Sequence, residues 1–166
     1  MGLFNHTHED CRHPILHYCI EILFLFFLGA MVYPVIEIMY RGYTHWTMAI
    51  VGGLAFLFVG AINNCMFGYR IGIIPQMVIG GIGITCVEFI AGVIINLGLG
   101  WNVWDYSNLP FNVMGQVCLP FTFIWMALSL LAIVIDDFIR HSLFGERKIH
   151  YHLWQCPGDS CPRNLK

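Results

Sequence analysis

Charge is what this sequence has least of. Its 166 residues include eight lysines and arginines and ten aspartates and glutamates, 11% in all. Soluble domains carry roughly a quarter charged residues. With 58% of the residues apolar, a soluble core of this size could not hide the apolar surface. The basic residues form no stripe, so nucleic-acid binding has no footprint. No Gly-x-x-x-x-Gly-Lys-Ser/Thr run occurs, and the chain therefore has no P-loop of its own. His-Glu-x-x-His, Gly-x-Ser-x-Gly and dinucleotide fingerprints are also missing, and the expectation is a protein that is not an enzyme. A basic n-region is missing too: Glu9, Asp10 and Arg12 precede a first apolar run that is too long for a signal peptide. Position 6 holds His6 rather than Ser or Thr, so the Met-Gly start does not fit the myristoylation pattern. The seven cysteines are odd in number and scattered, which argues against a disulfide framework.

Long apolar runs are what the sequence does have. A bilayer needs about 20 mostly apolar residues per spanning helix. Four runs qualify, at about Ile15–Tyr40, Trp46–Phe67, Pro75–Leu97 and Val113–Phe138. The fold expected is all-α: a polytopic integral membrane protein with four transmembrane helices. A polar, His-rich lead (1–14) precedes a membrane domain (15–138), and a polar cytoplasmic tail (139–166) follows it. The first run could reach roughly 39 Å as a helix, more than a ~30 Å core, so tilt or a kink at Pro34 is expected. Arg12, Arg70, Arg140, Arg147, Lys148, Arg163 and Lys166 fall on one side of this arrangement. Arg41 alone falls on the other. The positive-inside rule then puts both termini in the cytoplasm and the 98–112 connection outside. Gly29 stands eight residues before Glu37, and Gly80 eight before Glu88. This spacing fits either a parallel two-helix repeat or chance in a glycine-rich chain.

Acidic residues inside the apolar runs are the candidate functional groups. On the third run Gly81, Thr85, Glu88, Gly92 and Asn96 share one narrow helical face, with Val87, Ile90 and Ile94 roughly opposite. A charged carboxylate at mid-span costs several kcal/mol unless it is paired, hydrated or protonated. Glu88 is therefore either a site for a cation, a proton or a polar substrate, or a hydrogen-bonded clip between helices. On the second run Ala49, Gly53, Gly60 and Asn64 share a face, with Asn63 at its edge, and read as a helix contact. On the first, Ala30, Tyr33, Glu37 and Arg41 share a face, and Glu37 precedes Arg41 by four residues, the better order for an ion pair. In the outer connection Trp101, Trp104 and Tyr106 suit an interfacial belt. Asp105, Asn112 and Gln116 could meet Glu37, Arg41 and Asn96 at the same level and form an outer polar pocket.

The run Trp104-Asp-Tyr-Ser, followed by Pro110, Asn112, Gly115 and Cys118-Leu-Pro-Phe121, resembles a motif of the ABC-transporter type IV permease family, the CmpB-like bacterial membrane proteins. Thr85-Cys-Val-Glu88 is similar to the family's Thr/Glu-bearing helix, and Glu37 with Arg41-Gly42 to its first-helix glutamate and Arg-Gly element. Tyr43-Thr-His-Trp stands where the family has a Gly-Pro and Pro-x-Tyr-Gly stretch. The resemblance implies a permease-like or transport-associated membrane component working with a separate ATPase subunit. The other reading is a non-transporting sensor, regulator or assembly partner. The lipid bilayer of a bacterial cytoplasmic (inner) membrane is the environment that the resemblance implies. Four helices are few for a transport path, so a homo-oligomer is the expectation. His6, His8, Cys11, His13, His17, His150, His152, Cys156 and Cys161 are metal-ligand types near the termini, but Cys156 and Cys161 lack zinc-ribbon spacing. No metal and no cofactor is expected.

Overall fold

Segments apolar on every side can satisfy their backbone without water only as helices or closed barrels. The computed structural model describes residues 14–62, 71–144 and 151–154, and all four apolar segments are helical. The elements are α1 (Pro14–Arg41), α2 (Trp46–Ala61) and α3 (Ile73–Gly92), which continues as a π-helical stretch over Val93–Gly98. Then come β1 (Asn112–Val113), β2 (Val117–Cys118) and α4 (Leu119–Phe144). The strands form one antiparallel pair, Asn112 opposite Cys118 and Val113 opposite Val117. The fold is all-α apart from that hairpin. Tyr18–Arg41, Ile73–Gly98 and Leu119–Phe144 are each long and apolar enough to cross a membrane. The 16 residues of α2 reach only about 24 Å against a ~30 Å core. The second run was expected to continue to Phe67, and residues 63–70, with Asn63 and Asn64, lie outside the described residues.

The fourth segment differs most from expectation. It begins at Leu119 rather than Val113 and runs on to Phe144 rather than Phe138. The late start has a local cause: Phe111, Met114 and Gly115 have positive φ (55°, 53° and 68°), which folds 112–118 into a hairpin. Pro120 thereby falls in the first turn, where its missing N–H costs nothing. The late end is possible because Asp136, Asp137 and Arg140 are buried against protein partners. Helix α1 continues through Pro34 as a single helix.

Glycines decide how the helices pair. A Cβ on Gly52 would meet the Cβ of Tyr33 at 2.3 Å and the Gly29 carbonyl oxygen at 2.8 Å, so α1 and α2 touch backbone to backbone. A Cβ on Gly81 would meet Met126 backbone at 2.7 Å, which does the same for α3 and α4. The result is two hairpins, α1–α2 and α3–α4, which meet through α2 against α3 and α4. Ala55, Val59, Ile84, Trp125 and Ile133 form the buried core between them. Ile90 and Ile94, expected to face lipid, are 59% and 57% exposed. A return of the tail closes the opposite end. The N–H groups of Gly72, Ile73 and Ile74 donate to the carbonyls of Trp154, His152 and Leu153 at 2.7–3.1 Å. Those carbonyls satisfy donors that the start of α3 would otherwise leave bare.

Candidate functional site

The stripe on α3 is inward-facing along its whole length, and each member meets a protein partner. The Thr85 hydroxyl bonds that of Thr122 at 3.2 Å. Glu88, 1% exposed, accepts from Trp125 Nε1 at 2.8 Å through one oxygen and from the Tyr106 hydroxyl at 3.0 Å through the other. Gly92 leaves room for Gln116 and Trp104. Asn96 donates to the Trp104 carbonyl at 2.9 Å and to Gln116 Oε1 at 2.8 Å, and accepts from the Val103 N–H at 2.7 Å. Four of these partners, Val103, Trp104, Tyr106 and Gln116, belong to the 99–118 connection. That connection is therefore not a loose outer loop. It dips against the bundle, with Val103 7% and Trp104 5% exposed. Backbone groups of Val103, Trp104, Tyr106 and Gln116 find protein partners, as irregular backbone away from water requires.

Helix α1 holds the same loop from the other side. Arg41 Nη1 donates to the Val103 carbonyl at 2.9 Å. Its Nη2 pairs with Glu37 Oε1, while the Thr44 hydroxyl donates to Glu37 Oε2. The guanidinium also lies over the Tyr43 ring, 4.6 Å from its centroid. The expected i,i+4 pair is formed, and it faces the loop. Burial, and then the Glu88 carboxylate, pushes the Tyr106 phenol well above its ordinary pKa, which keeps it a donor to Glu88. Stacking fixes the rings around it: Tyr106 on Phe121 at 4.7 Å and Tyr33 on Trp125 at 5.7 Å between centroids.

The seven candidate residues do not share one pocket. Asn96 and Gln116 meet directly, and Glu37 and Arg41 meet directly. Asp105 and Asn112 meet none of the others and organise the loop itself. Asp105 Oδ1 accepts from the Ser107 hydroxyl at 2.5 Å and the Ser107 N–H at 2.8 Å. Those donors hold the Asp105 carboxyl below its usual pKa. Asn112 donates to the carbonyls of Leu109 and Ser107 at 2.8 and 3.2 Å. Gly115 belongs here for a steric reason, since a Cβ would lie 2.5 Å from Ser107 Oγ and 2.7 Å from Asp105 Oδ1. Glu37 and Arg41 line a cavity of about 130 Å³ together with Tyr33, Tyr40, Tyr106, Phe121 and Trp125.

Residues 18–155 match the model of the family described as putative ABC-transporter type IV. The chain belongs to that family. It is thus a membrane protein associated with transport. No curated protein and no solved structure matches the chain. The matched range takes in the stripe, the latched loop and the tail segment docked on α3.

Trp125 went unnoticed as the second donor to Glu88, although 125, 129, 133, 136 and 140 follow helical spacing and all are buried in α4. The same spacing leads to a charged cluster near the far end of the helices. Arg140 pairs with Glu21 of α1 and, at 2.8 Å, with Asp136. Tyr151 donates to Asp137 at 2.8 Å. Buried charges of this kind hold only with such partners. Among the described residues no group of three or more His, Cys, Asp and Glu side chains is placed to hold a metal ion. Of the terminal histidines and cysteines considered as ligands, His17 lies on α1 and His152 in the docked tail segment; the others lie outside the described residues.

Proposed function

We propose that the protein is the permease-type membrane subunit of a transport system whose ATPase is a separate chain, with the 99–118 loop as its outer closure. One observation carries this reading: polar groups from three helices converge on a single loop. Glu88 and Asn96 hold it from α3, Trp125 through Glu88 from α4, and Arg41 from α1. A loop tied at separate points by hydrogen bonds, around the small apolar cluster that Val103 and Trp104 form with Met48, is suited to release as a unit. Its release would uncover the carboxylate of Glu88. The site is then the loop–bundle interface, with Glu88 as the central acid and Glu37, Arg41, Asn96 and Gln116 around it. Asp105 and Asn112 shape the closure.

The reading includes four spans, with both termini on the cytoplasmic side of a bacterial inner membrane, a 15–138 membrane domain and assembly of more than one copy. Gly29–Gly52 and Gly80–Ser129 contacts close corresponding places in the two hairpins, which supports a two-helix repeat. No catalytic chemistry is assigned to the chain itself. The test is purification of the tagged full chain from native membranes in mild detergent. A P-loop ATPase that co-purifies, and whose hydrolysis rate changes with Glu88→Gln, is expected. Recovery with a kinase or regulator and no ATPase would overturn the proposal.

A second reading, a non-transporting regulator or assembly partner, is favoured by the saturation of Glu88, whose two oxygens both have protein donors. It predicts that locking the loop shut leaves function intact. A disulfide engineered between the loop and α1 separates the two readings, because it stops a transporter and spares a scaffold.

A further inference from the structure

Helices α1 and α4 are joined by side chains at three levels and leave a cleft between them. The joints are Glu21–Arg140, Tyr33–Trp125 and Tyr40–Phe121. Below the 130 Å³ chamber lies a second of about 250 Å³, lined by Leu28, Val32, Ala55, Leu131, Ala132 and Ile135 among others. Tyr33, Ile36, Trp125 and Leu128 line both, so the two are adjoining chambers of the α1–α4 cleft, with the Tyr33–Trp125 stack at their boundary. Its rim residues Val32, Ile36, Leu131 and Ile135 are 37–58% exposed, and the cleft therefore opens sideways, toward lipid. The lower chamber is apolar throughout. The upper one ends at Glu37 and Arg41.

We propose that this cleft is a phospholipid site, with one acyl chain lying along α1 and α4, the headgroup phosphate at Arg41 and a headgroup amine at Glu37. Length is the first argument. Leu28 to Arg41 on α1 spans about 20 Å at 1.5 Å per residue. Half of a ~40–45 Å bilayer with its headgroups is about the same, so the cleft fits one leaflet. Polarity is the second. An amphiphile with a long apolar part and a charged end matches the order of the walls, whereas a hydrated solute matches only the upper end. Valence is the third. Arg41 Nε is buried and has no hydrogen-bond partner, although both terminal nitrogens are in use. That N–H points to an acceptor supplied from outside the chain, and a phosphate oxygen is a strong one. The Glu37 carboxylate is engaged by Arg41, Thr44 and the His45 backbone, and a carboxylate has about four acceptor positions, which leaves room for one ammonium N–H. A zwitterionic headgroup also keeps the site neutral beside the Glu37–Arg41 pair.

The proposal does not depend on transport, because it is read on purified protein. The full chain in nanodiscs of phosphatidylethanolamine and phosphatidylglycerol is transferred to detergent, and retained lipid is counted by native mass spectrometry. One retained phosphatidylethanolamine per chain is expected. Ala132→Phe, which fills the lower chamber, and Ile36→Trp, at the rim, are each expected to lower retention by about tenfold. Ile90→Trp, on the opposite apolar face, is expected to leave it unchanged. Helical circular dichroism and elution volume show which variants are folded. Equal loss in Ile90→Trp would mean an unspecific lipid shell and would overturn the proposal, as would undiminished retention in folded Ala132→Phe and Ile36→Trp. Preference for phosphatidylglycerol would overturn the headgroup assignment. Inorganic phosphate alone is expected not to displace the lipid, and displacement would show an anion site without a chain.

Discussion

Replacing Glu88 tests the latch directly, because different replacements remove different numbers of acceptors. Glu88→Leu keeps the bulk of the side chain but leaves Trp125 Nε1 and the Tyr106 hydroxyl facing nothing, where they now donate at 2.8 and 3.0 Å. In a soluble protein two such orphans would cost about 2–6 kcal/mol. In a membrane the denatured helices find other partners, and measured interhelical bonds average ~0.6 and reach ~1.7 kcal/mol each. The second scale applies to helices that stay in a micelle when they separate, so about 1–3.5 kcal/mol is expected. Glu88→Gln should cost less than about 1 kcal/mol. The amide oxygen still accepts from Trp125, and the Tyr106 hydroxyl can turn to accept from the amide N–H. Trp125→Phe in the Glu88→Leu background should recover part of the loss, since it removes one orphan donor. The assay is unfolding of the full chain in mixed micelles with increasing denaturing detergent, run as a double-mutant cycle. Labelling of a cysteine placed at Val103 reports the loop in the same samples. If Glu88→Leu matches wild type in both readouts, or Glu88→Gln is as damaging as Glu88→Leu, the latch is wrong.

Other outcomes follow from the same geometry. Gly52→Ala should destabilise the α1–α2 hairpin by about 1–3 kcal/mol, because its new Cβ meets Tyr33 and backbone rather than open space, and the unfolding midpoint measures it. Arg41→Gln should raise the labelling rate of a cysteine at Val103 without lowering helical content; an unchanged rate would show that Arg41 does not hold the loop. Asp105 has a depressed folded pKa, so its contribution to the loop is present above the ordinary ~3.9 and lost as pH falls through the lower value. Ser107→Ala should move that titration up toward ~3.9 by NMR, and an unmoved titration refutes the assignment. Reporter fusions at the two ends should give the same cytoplasmic signal; opposite signals would mean that α2 does not span.

The sequence by itself determined the helices and their faces. Composition demanded a non-aqueous surrounding, and helical phase put Gly81, Thr85, Glu88, Gly92 and Asn96 on one inward stripe. The four-residue spacing of Glu37 and Arg41 determined their pairing, since both ends of that contact lie on one helix. What those groups bind was beyond the sequence, because each partner comes from another part of the chain. Trp125 is 37 residues from Glu88, and Arg140 is 119 from Glu21. The boundary of α4 was misplaced for a related reason: three positive-φ residues turn 111–115 back on itself, and apolar runs do not report backbone handedness. Only the tertiary structure decided that the 99–118 connection is hydrogen-bonded to the bundle, that Asp105 and Asn112 bond within the loop, and that α1 and α4 leave a cleft between them. Hydrophobic periodicity says which face of a helix turns inward. It does not say which neighbour arrives there, because that depends on how glycine contacts let the backbones approach.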